Sequence, residues 1–377
     1  MKILTNATAL DSRGGYSVIH DFLYEISNKS NVLREKQIEL TALVAKENLC
    51  KYETEQLKVI YEPYPKKSPI HKWKYENRIL PSLIKANKFD FYLSLQNSGL
   101  PYLDIPQYVL IHQPIPFSDL KPKELELKNF IKYKVLLHSI YKRQLANVDG
   151  VFVQTSWMKE AIQRKYSYKK NIHIIRPAIQ SIENNVSPLG STHDKEFSRM
   201  ETKLLYMTNR EKYKNNAILI EAIQEWNAQN TNKVVLYLTL DGQSTEHIRY
   251  IGKIPYESIF KAYKSVDALI FPSLTETLGL PLLEAQEAGL PILAADLPYA
   301  REVCGSNAIY FNPRSKTAIM RSIGNFLKNR YARNPGQFHE KSILTSNDNY
   351  MDYIRIIHSH TDKYHGIAKT NEMLGGT

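Results

Sequence analysis

The chain has 377 residues, 43% of them hydrophobic and 23% charged, with a formal net charge of +12. That composition builds large cores and suggests two or three domains, and it excludes a disordered tail, a collagen and a small disulfide scaffold. The charge is uneven: residues 1–180 hold 28 bases against 17 acids, residues 181–377 hold 22 against 21, and residues 121–180 alone hold 13 against 4.

In chain order, the first half offers seven short apolar runs that read as strands: Lys2–Thr5, Leu40–Val44, Val59–Tyr61, Phe91–Leu95, Tyr108–His112, Val151–Gln154 and His173–Ile175. Directly after Gly14 and Gly15, the residues Ile19, Phe22, Leu23 and Ile26 follow the i, i+3, i+4, i+7 spacing of an amphipathic helix. Residues 181–203 are polar and broken by Pro188 and Gly190, which reads as a linker. The second half repeats the opening: strands at Leu204–Met207, Val234–Leu240, Ala268–Phe271 and Ile292–Ala295, with a helix pattern at Leu219, Ala222, Ile223 and Trp226. Strands that are continuously apolar and alternate with helices are the mark of parallel α/β sheets. The expected organisation is a first Rossmann-like domain over 1–180, a linker over 181–203, a second such domain over 204–345, and a terminal helix and tail over 346–377. Tyr350, Tyr353, Ile354 and Ile357 give that last helix an apolar face outside its own strand series, free to pack back on the first domain.

Cys50 and Cys304 are far apart and form neither a disulfide framework nor a zinc site. The first residues lack the apolar core of a signal peptide, and no apolar run approaches the ~20 residues of a membrane span. A cytoplasmic location follows as the expectation.

The stretch Phe271–Glu284 is the most informative. A strand ends at Phe271, a loop follows, and a helix is expected to start at Pro281. Gly279 lets the backbone approach a ligand, and the N–H groups of a new helix form an anion site suited to a diphosphate. Glu276 in the loop and Glu284 on the helix flank that site, and carboxylates accept hydrogen bonds from sugar hydroxyls in pairs. The plain alternative makes Glu276 a helix-start acid and Glu284 a solvated surface residue.

This stretch closely resembles the paired-glutamate signature of the family-four retaining glycosyltransferases. Glu276, Gly279, Leu280 and Glu284 match, Leu278 stands where an aromatic is common, and the likeness continues through Gly289, Pro291, Arg301, Glu302 and Tyr310–Pro313. The resemblance implies two Rossmann-like domains facing a cleft, the glycosyltransferase B-type fold. It implies that Glu276 contacts the transferred sugar, that Glu284 binds the ribose, and that Thr277, Leu278, Gly279 and Leu280 offer main-chain N–H groups to the diphosphate. Arg210 and Lys214 resemble the family's basic pair, which would neutralise charge growing on the leaving diphosphate; Lys212 is a rival for the Lys role. Gly252 and Ile254 resemble the segment that holds the nucleotide base through backbone. In the first half, Gly14 and Gly15 resemble the glycine-rich loop, and His112 resembles the histidine over the donor sugar.

No Asp-x-Asp triplet occurs, which agrees with an enzyme that uses no metal or other cofactor. The absence of G-x-G-x-x-G and Walker A patterns excludes the ordinary dinucleotide and NTP sites. On a helical wheel, Lys128, Lys132, Lys142 and Arg143 share one face, with Phe130, Tyr133, Leu137, Ile140 and Tyr141 opposite. That basic face reads either as a solvated surface or as a contact for anionic membrane or a lipid-diphosphate acceptor. The expected partners are a nucleotide-diphosphate sugar and a glycan or lipid-linked acceptor, with no nucleic acid, at the cytoplasmic face of the membrane. The expected function is retaining sugar transfer in bacterial surface polysaccharide assembly; the alternatives are a nucleotide-sugar epimerase of the same fold and a non-catalytic partner subunit.

Overall fold

A computed structural model of the chain describes residues 1–11, 13–176, 201–255, 258–332 and 350–360. Among these described residues, thirteen strands form two wholly parallel sheets. The first sheet holds β1 (Lys2–Ala7), β2 (Glu39–Val44), β3 (Leu57–Tyr61), β4 (Phe91–Ser94), β5 (Gln107–Leu110), β6 (Gly150–Val153) and β7 (Asn171–Ile174), in the order β3-β2-β1-β4-β5-β6-β7. The second holds β8 (Thr202–Tyr206), β9 (Val234–Leu238), β10 (Ile248–Tyr250), β11 (Ala268–Phe271), β12 (Ile292–Ala295) and β13 (Ile309–Phe311), in the order β10-β9-β8-β11-β12-β13. Every residue of β4, β5, β6, β11 and β12 is buried, as expected for strands covered by helices on both faces.

All eleven strands expected from the apolar runs are present. The two that escaped, β10 and β13, are three-residue strands at opposite edges of the second sheet. An edge strand is short and partly solvated, so it leaves no apolar run to read.

The chain divides into two compact units, and the division departs from the one expected. The first unit holds Met1–Gln113, Leu136–Ala178 and Asn347–Thr377; the second holds Pro114–Val135 and Ile179–Ser346. Residues 114–135 therefore leave the expected 1–180 domain. Ile115, Leu120 and Leu125 share a small core with Leu274, against which Phe130, Tyr133 and Tyr213 pack. The Arg314 guanidinium clasps Glu124 through two bonds of 2.5 and 2.9 Å, and the Asn129 amide donates to Glu211 at 2.8 Å. The expected linker at 181–203 lies outside the described residues except for its last three positions.

Within the first unit, the helix Tyr350–Ser359 joins the main core with Ile3, Phe22, Ile26 and Phe152. Tyr353 meets the Phe152 ring edge-on at 4.6 Å. Glu25, on the helix Arg13–Asn28, accepts from the Tyr350 and Met351 N–H groups at 2.8 and 3.3 Å and so caps the terminal helix. No helix among the described residues is long and apolar enough to cross a membrane.

Candidate functional site

In an open parallel sheet, ligands bind outside the carboxyl ends of the strands where the strand order reverses. In the second sheet that point lies between β8 and β11, which pair with each other while the chain builds outward from both. The loops that follow them, 207–215 and 272–279, are held to one another. The Leu274 N–H donates to the Tyr213 carbonyl at 2.8 Å, and the Asn215 amide donates to the carbonyls of Pro272 and Pro313 at 3.3 and 2.6 Å. Asn215 has a φ of +63°, a left-handed conformation that Asn tolerates better than most residues. Two buried tyrosines brace the loops from beneath: Tyr206 donates to the Lys214 carbonyl and Tyr299 to the Ser273 carbonyl, both at 2.7 Å.

This frame brings Lys214 and Glu276 into direct contact. Lys214 Nζ lies 2.5 Å from Glu276 Oε1, and their side chains are only 12% and 16% exposed. The same carboxylate oxygen accepts from the Ser273 hydroxyl at 2.6 Å. The ammonium also sits 5.5 and 5.9 Å from the ring centres of Tyr213 and Phe271, within cation–π range. Lys212, the rival, is exposed, so the short helical turn Lys212–Lys214 turns only one of its lysines inward. Arg210 is exposed and points elsewhere: its guanidinium donates to the Asp241 carbonyl at 2.5 Å, beyond the end of β9. Gly252 joins that same corner, its N–H donating to the Leu240 carbonyl at 3.1 Å and its φ at +69°. Ile254 follows it, half-buried.

The helix after β11 runs Leu280–Glu287 and starts one residue earlier than expected. Gly279 caps it at a φ of +75°, where a Cβ would meet Leu282 Cδ1 at 3.2 Å, so both conformation and space favour glycine. Pro281 has no N–H, and that of Leu282 donates to the Gly279 carbonyl at 2.8 Å. Any main-chain donor offered to an anion here therefore comes from the residues before Pro281. Thr277 is half-buried, Leu278 fully buried, and Leu280 41% exposed, so the Leu278 side chain faces the core. Glu284 is not a solvated surface residue: its carboxylate accepts from the buried Tyr263 hydroxyl at 2.7 Å. Burial raises the Glu284 carboxyl above the usual range, against the lowering effect of the Tyr263 bond.

The remaining expected residues lie partly or wholly in the first unit. Gly14 falls in the first turn of the helix Arg13–Asn28, and a Cβ on Gly15 would meet Leu10 Cδ2 at 3.2 Å. His112 follows β5; its N–H donates to Asn97 Oδ1 at 2.7 Å, which leaves the Asn97 amide to donate to His112 Nε2 at 2.9 Å. That contact selects the tautomer protonated at Nδ1, and burial pushes the ring down to about 4.

Lys128, Lys132, Lys142 and Arg143 are all exposed on the helical run Leu127–Gln144; Lys128 pairs with Glu126 at 2.9 Å and Lys132 sits 4.8 Å from the Tyr133 ring centre. The expected apolar face opposite them is not uniformly buried. Tyr141 is, Phe130, Tyr133 and Leu137 are half-buried, and Ile140 is 39% exposed; outside that face, Leu127, Ile131, Val135 and Leu136 are exposed too. The reason is local: Phe130–Leu136 is a π-helix, whose wider turn rotates residues away from a wheel drawn with α-helical spacing.

Sequence reasoning missed Tyr206, Tyr263, Ser273, Tyr299 and Asn215, the residues that hold the site in shape. Only the Asn215–Asn216 pair between strand and helix carries a local signal, a turn at positive φ. Among the described residues, no group of three or more His, Cys, Asp or Glu side chains converges to hold a metal. Both cysteines are free, and burial pushes the Cys304 thiol up to about 12.

The profile of the family described as Glycosyl transferases group 1 matches residues 192–342. The O-antigen chain mannosyltransferase B of Escherichia coli is 28% identical over 117 residues, which cover 31% of this chain and 29% of that protein. The O-antigen chain mannosyltransferase RfbU of Salmonella typhimurium is 22% identical over 228 residues, covering 58% of this chain and 61% of that protein. The match to each curated relative thus spans less than two thirds of its length. Among solved structures, Anabaena HepE in complex with UDP and glucose superposes with a TM-score of 0.64 at 13% identity, covering 96% of this chain and 100% of that one. With its two parallel sheets, the chain has the glycosyltransferase B-type fold. Residues 192–342, the stretch that matches the group 1 glycosyl transferases, carry Lys214, Tyr263 and both glutamates.

Proposed function

We propose that this protein is a retaining glycosyltransferase, independent of metal, that moves a sugar from a nucleotide-diphosphate donor to a glycan or lipid-linked acceptor in bacterial surface polysaccharide assembly. The observation that carries the reading is the enclosed Lys214–Glu276 pair at the switch point of the second sheet, with Glu284 on the helix that follows. Glu276 binds the hydroxyls of the transferred sugar and Glu284 the ribose. When the donor enters, Lys214 exchanges its carboxylate partner for the diphosphate and stabilises the charge that grows there as the glycosidic bond breaks. The N–H groups preceding Pro281 assist, and Arg210 joins them only by leaving the Asp241 carbonyl. The acceptor hydroxyl attacks on the face the diphosphate leaves, and the leaving phosphate takes its proton.

The two O-antigen mannosyltransferases among the relatives make a nucleotide-activated mannose the first donor to test, and the UDP and glucose bound to HepE make UDP-sugars the second. The excess positive charge of residues 121–180, with Lys128, Lys132, Lys142 and Arg143 exposed, suits an acceptor that bears a diphosphate. Such an acceptor places the enzyme at the cytoplasmic face of the membrane.

Purified protein is screened against a panel of nucleotide sugars by thermal shift, since only a ligand that binds the folded state raises the melting temperature. One donor, together with its free nucleotide diphosphate, is expected to stabilise, and Glu276→Ala to weaken the response. No shift with any nucleotide or nucleotide sugar overturns the reading. Product analysis with donor alone separates transfer from epimerisation, because an epimerase needs no acceptor.

A further inference from the structure

The first unit carries an exposed apolar and basic stripe that the donor site does not use. After β3 the chain enters a helical run over Pro69–Lys74, Tyr75–Ile79 and Leu80–Ala86, opened by Ser68, whose hydroxyl accepts the His71 N–H. Tyr75, Leu80 and Ile84 are buried in a core with Leu4 and Tyr92, which fixes the inner face. Ile70, Trp73 and Lys74 share one face of the α-helical turn, Asn77 and Arg78 follow on the π-helical turn Tyr75–Ile79, and all five are exposed. Ile70 is 76% and Trp73 57% exposed, an unusual position for two large apolar side chains one turn apart.

The charges around them have one sign. Lys67 precedes the helix, with its ammonium 5.6 Å from the Tyr64 ring centre, and the Arg78 guanidinium lies 5.9 Å from the Trp73 ring centre. The carboxylates of this segment are turned away from the stripe. Glu76 is half-buried, accepts from the Gln96 amide at 2.9 Å and pairs with Lys72 at 3.7 Å, and Glu62 accepts from the Tyr64 N–H at 3.0 Å. Lys67, Lys74 and Arg78 thus flank a projecting Trp and Ile with no acid among them.

We propose that this stripe docks the protein on an anionic lipid surface, with Ile70 and Trp73 entering the headgroup region and Lys67, Lys74 and Arg78 meeting lipid phosphates. An indole is amphipathic and settles at the membrane–water boundary, an exposed isoleucine gains by leaving water, and each cation near an anionic leaflet adds to the attraction. Charge complementarity selects this occupant over a second copy of the chain, whose own stripe carries the same sign. The inference rests on the proposed lipid-linked acceptor for its setting and on these side chains for its geometry.

The test is sedimentation of the full chain with vesicles of phosphatidylcholine alone and of phosphatidylcholine mixed with phosphatidylglycerol. Binding is expected only with the anionic lipid. Lys67→Gln/Lys74→Gln/Arg78→Gln is expected to weaken it roughly a hundredfold, and Ile70→Ser/Trp73→Ser at least tenfold, both with unchanged melting temperature and unchanged stabilisation by nucleotide. In a Trp157→Phe/Trp226→Phe background, Trp73 emission is expected to shift to the blue on anionic vesicles and to be quenched by brominated acyl chains. Equal binding of wild type and both variants overturns the proposal, as does Trp73 that stays open to iodide on bound vesicles, or self-association that the Ile70/Trp73 variant abolishes without any vesicle binding. Vesicle binding without any nucleotide response leaves this proposal standing and removes the transferase reading; the reverse result removes only this one.

Discussion

The two sheets reverse their strand order at equivalent places, but the chemistry gathered there differs. At the switch point of the first sheet, between β1 and β4, the polar groups form a largely neutral network. Asn6 donates to the Tyr92 hydroxyl at 3.0 Å and accepts from the Thr8 N–H at 3.1 Å, while Gln96 accepts from the Ala9 N–H at 3.0 Å and donates to Glu76. At the switch point of the second sheet, Lys214 and Glu276 form an enclosed ion pair. A buried amide network satisfies itself and rigidifies the loops it joins. A buried ion pair is weak evidence for stability, because desolvation offsets most of its attraction. On the proposed function, the first site supplies shape and the second meets the charged ligand.

The largest expected effect tests the charged end. Lys214→Ala is expected to lower the transfer rate by about 10²–10³-fold, the range for loss of one group that stabilises developing negative charge. The apparent affinity for the acceptor should stay close to that of wild type, as read from kcat and KM measured separately. A comparable loss in Asn6→Ala, at matched folded fraction, breaks the distinction between the two sites.

Asn6→Ala is instead expected to cost about 1–3 kcal/mol of stability, because Tyr92 and Thr8 are left with a missing partner in a buried setting. A urea titration followed by circular dichroism measures it, and the rate per folded molecule should change little. Tyr263→Phe is a smaller perturbation. It removes one hydrogen bond to Glu284, worth about 1 kcal/mol, and should weaken donor binding several-fold by calorimetry while leaving kcat intact.

The smallest expected effect concerns pH. His112 titrates at about 4 in the fold against 6.5 for the free side chain. The unfolded chain therefore binds more protons in that window, so the contribution is complete above 6.5 and is lost as pH falls towards 4. His112→Asn should flatten the fall in denaturation midpoint between those values and leave stability above pH 7 little changed.

Much of this arrangement is legible in the sequence because it depends on local pattern. Continuous apolar runs mark strands buried on both faces, and a glycine before a proline marks the helix start near the glutamates. What escapes depends on distant partners. Nothing in Ile115, Leu120 or Leu125 signals that their neighbour is Leu274, so residues 114–135 read as part of the wrong unit. The choice between Lys212 and Lys214 depends on which of them a single helical turn directs at Glu276. Tyr206, Tyr263 and Tyr299 look like ordinary core residues, and only their hydroxyl partners show that they brace the site. Arg301 is the converse case. It belongs to the recognisable motif, yet it bonds to Asp296 at 2.7 Å and stacks 3.7 Å over the Tyr310 ring, a surface clasp away from the glutamates.

The docking of Tyr350–Ser359 into the first unit sets an order on biosynthesis. Phe22, Phe152 and Glu25 are translated long before the helix that covers them, and the whole second sheet emerges in between. The unit that is made first is thus completed last, and its unfinished apolar face waits on the ribosome while the later unit folds. Such an interval exposes hydrophobic surface to aggregation and to chaperones. Emergence of Tyr350–Ser359, rather than synthesis of the first sheet, becomes the step at which this half of the protein matures.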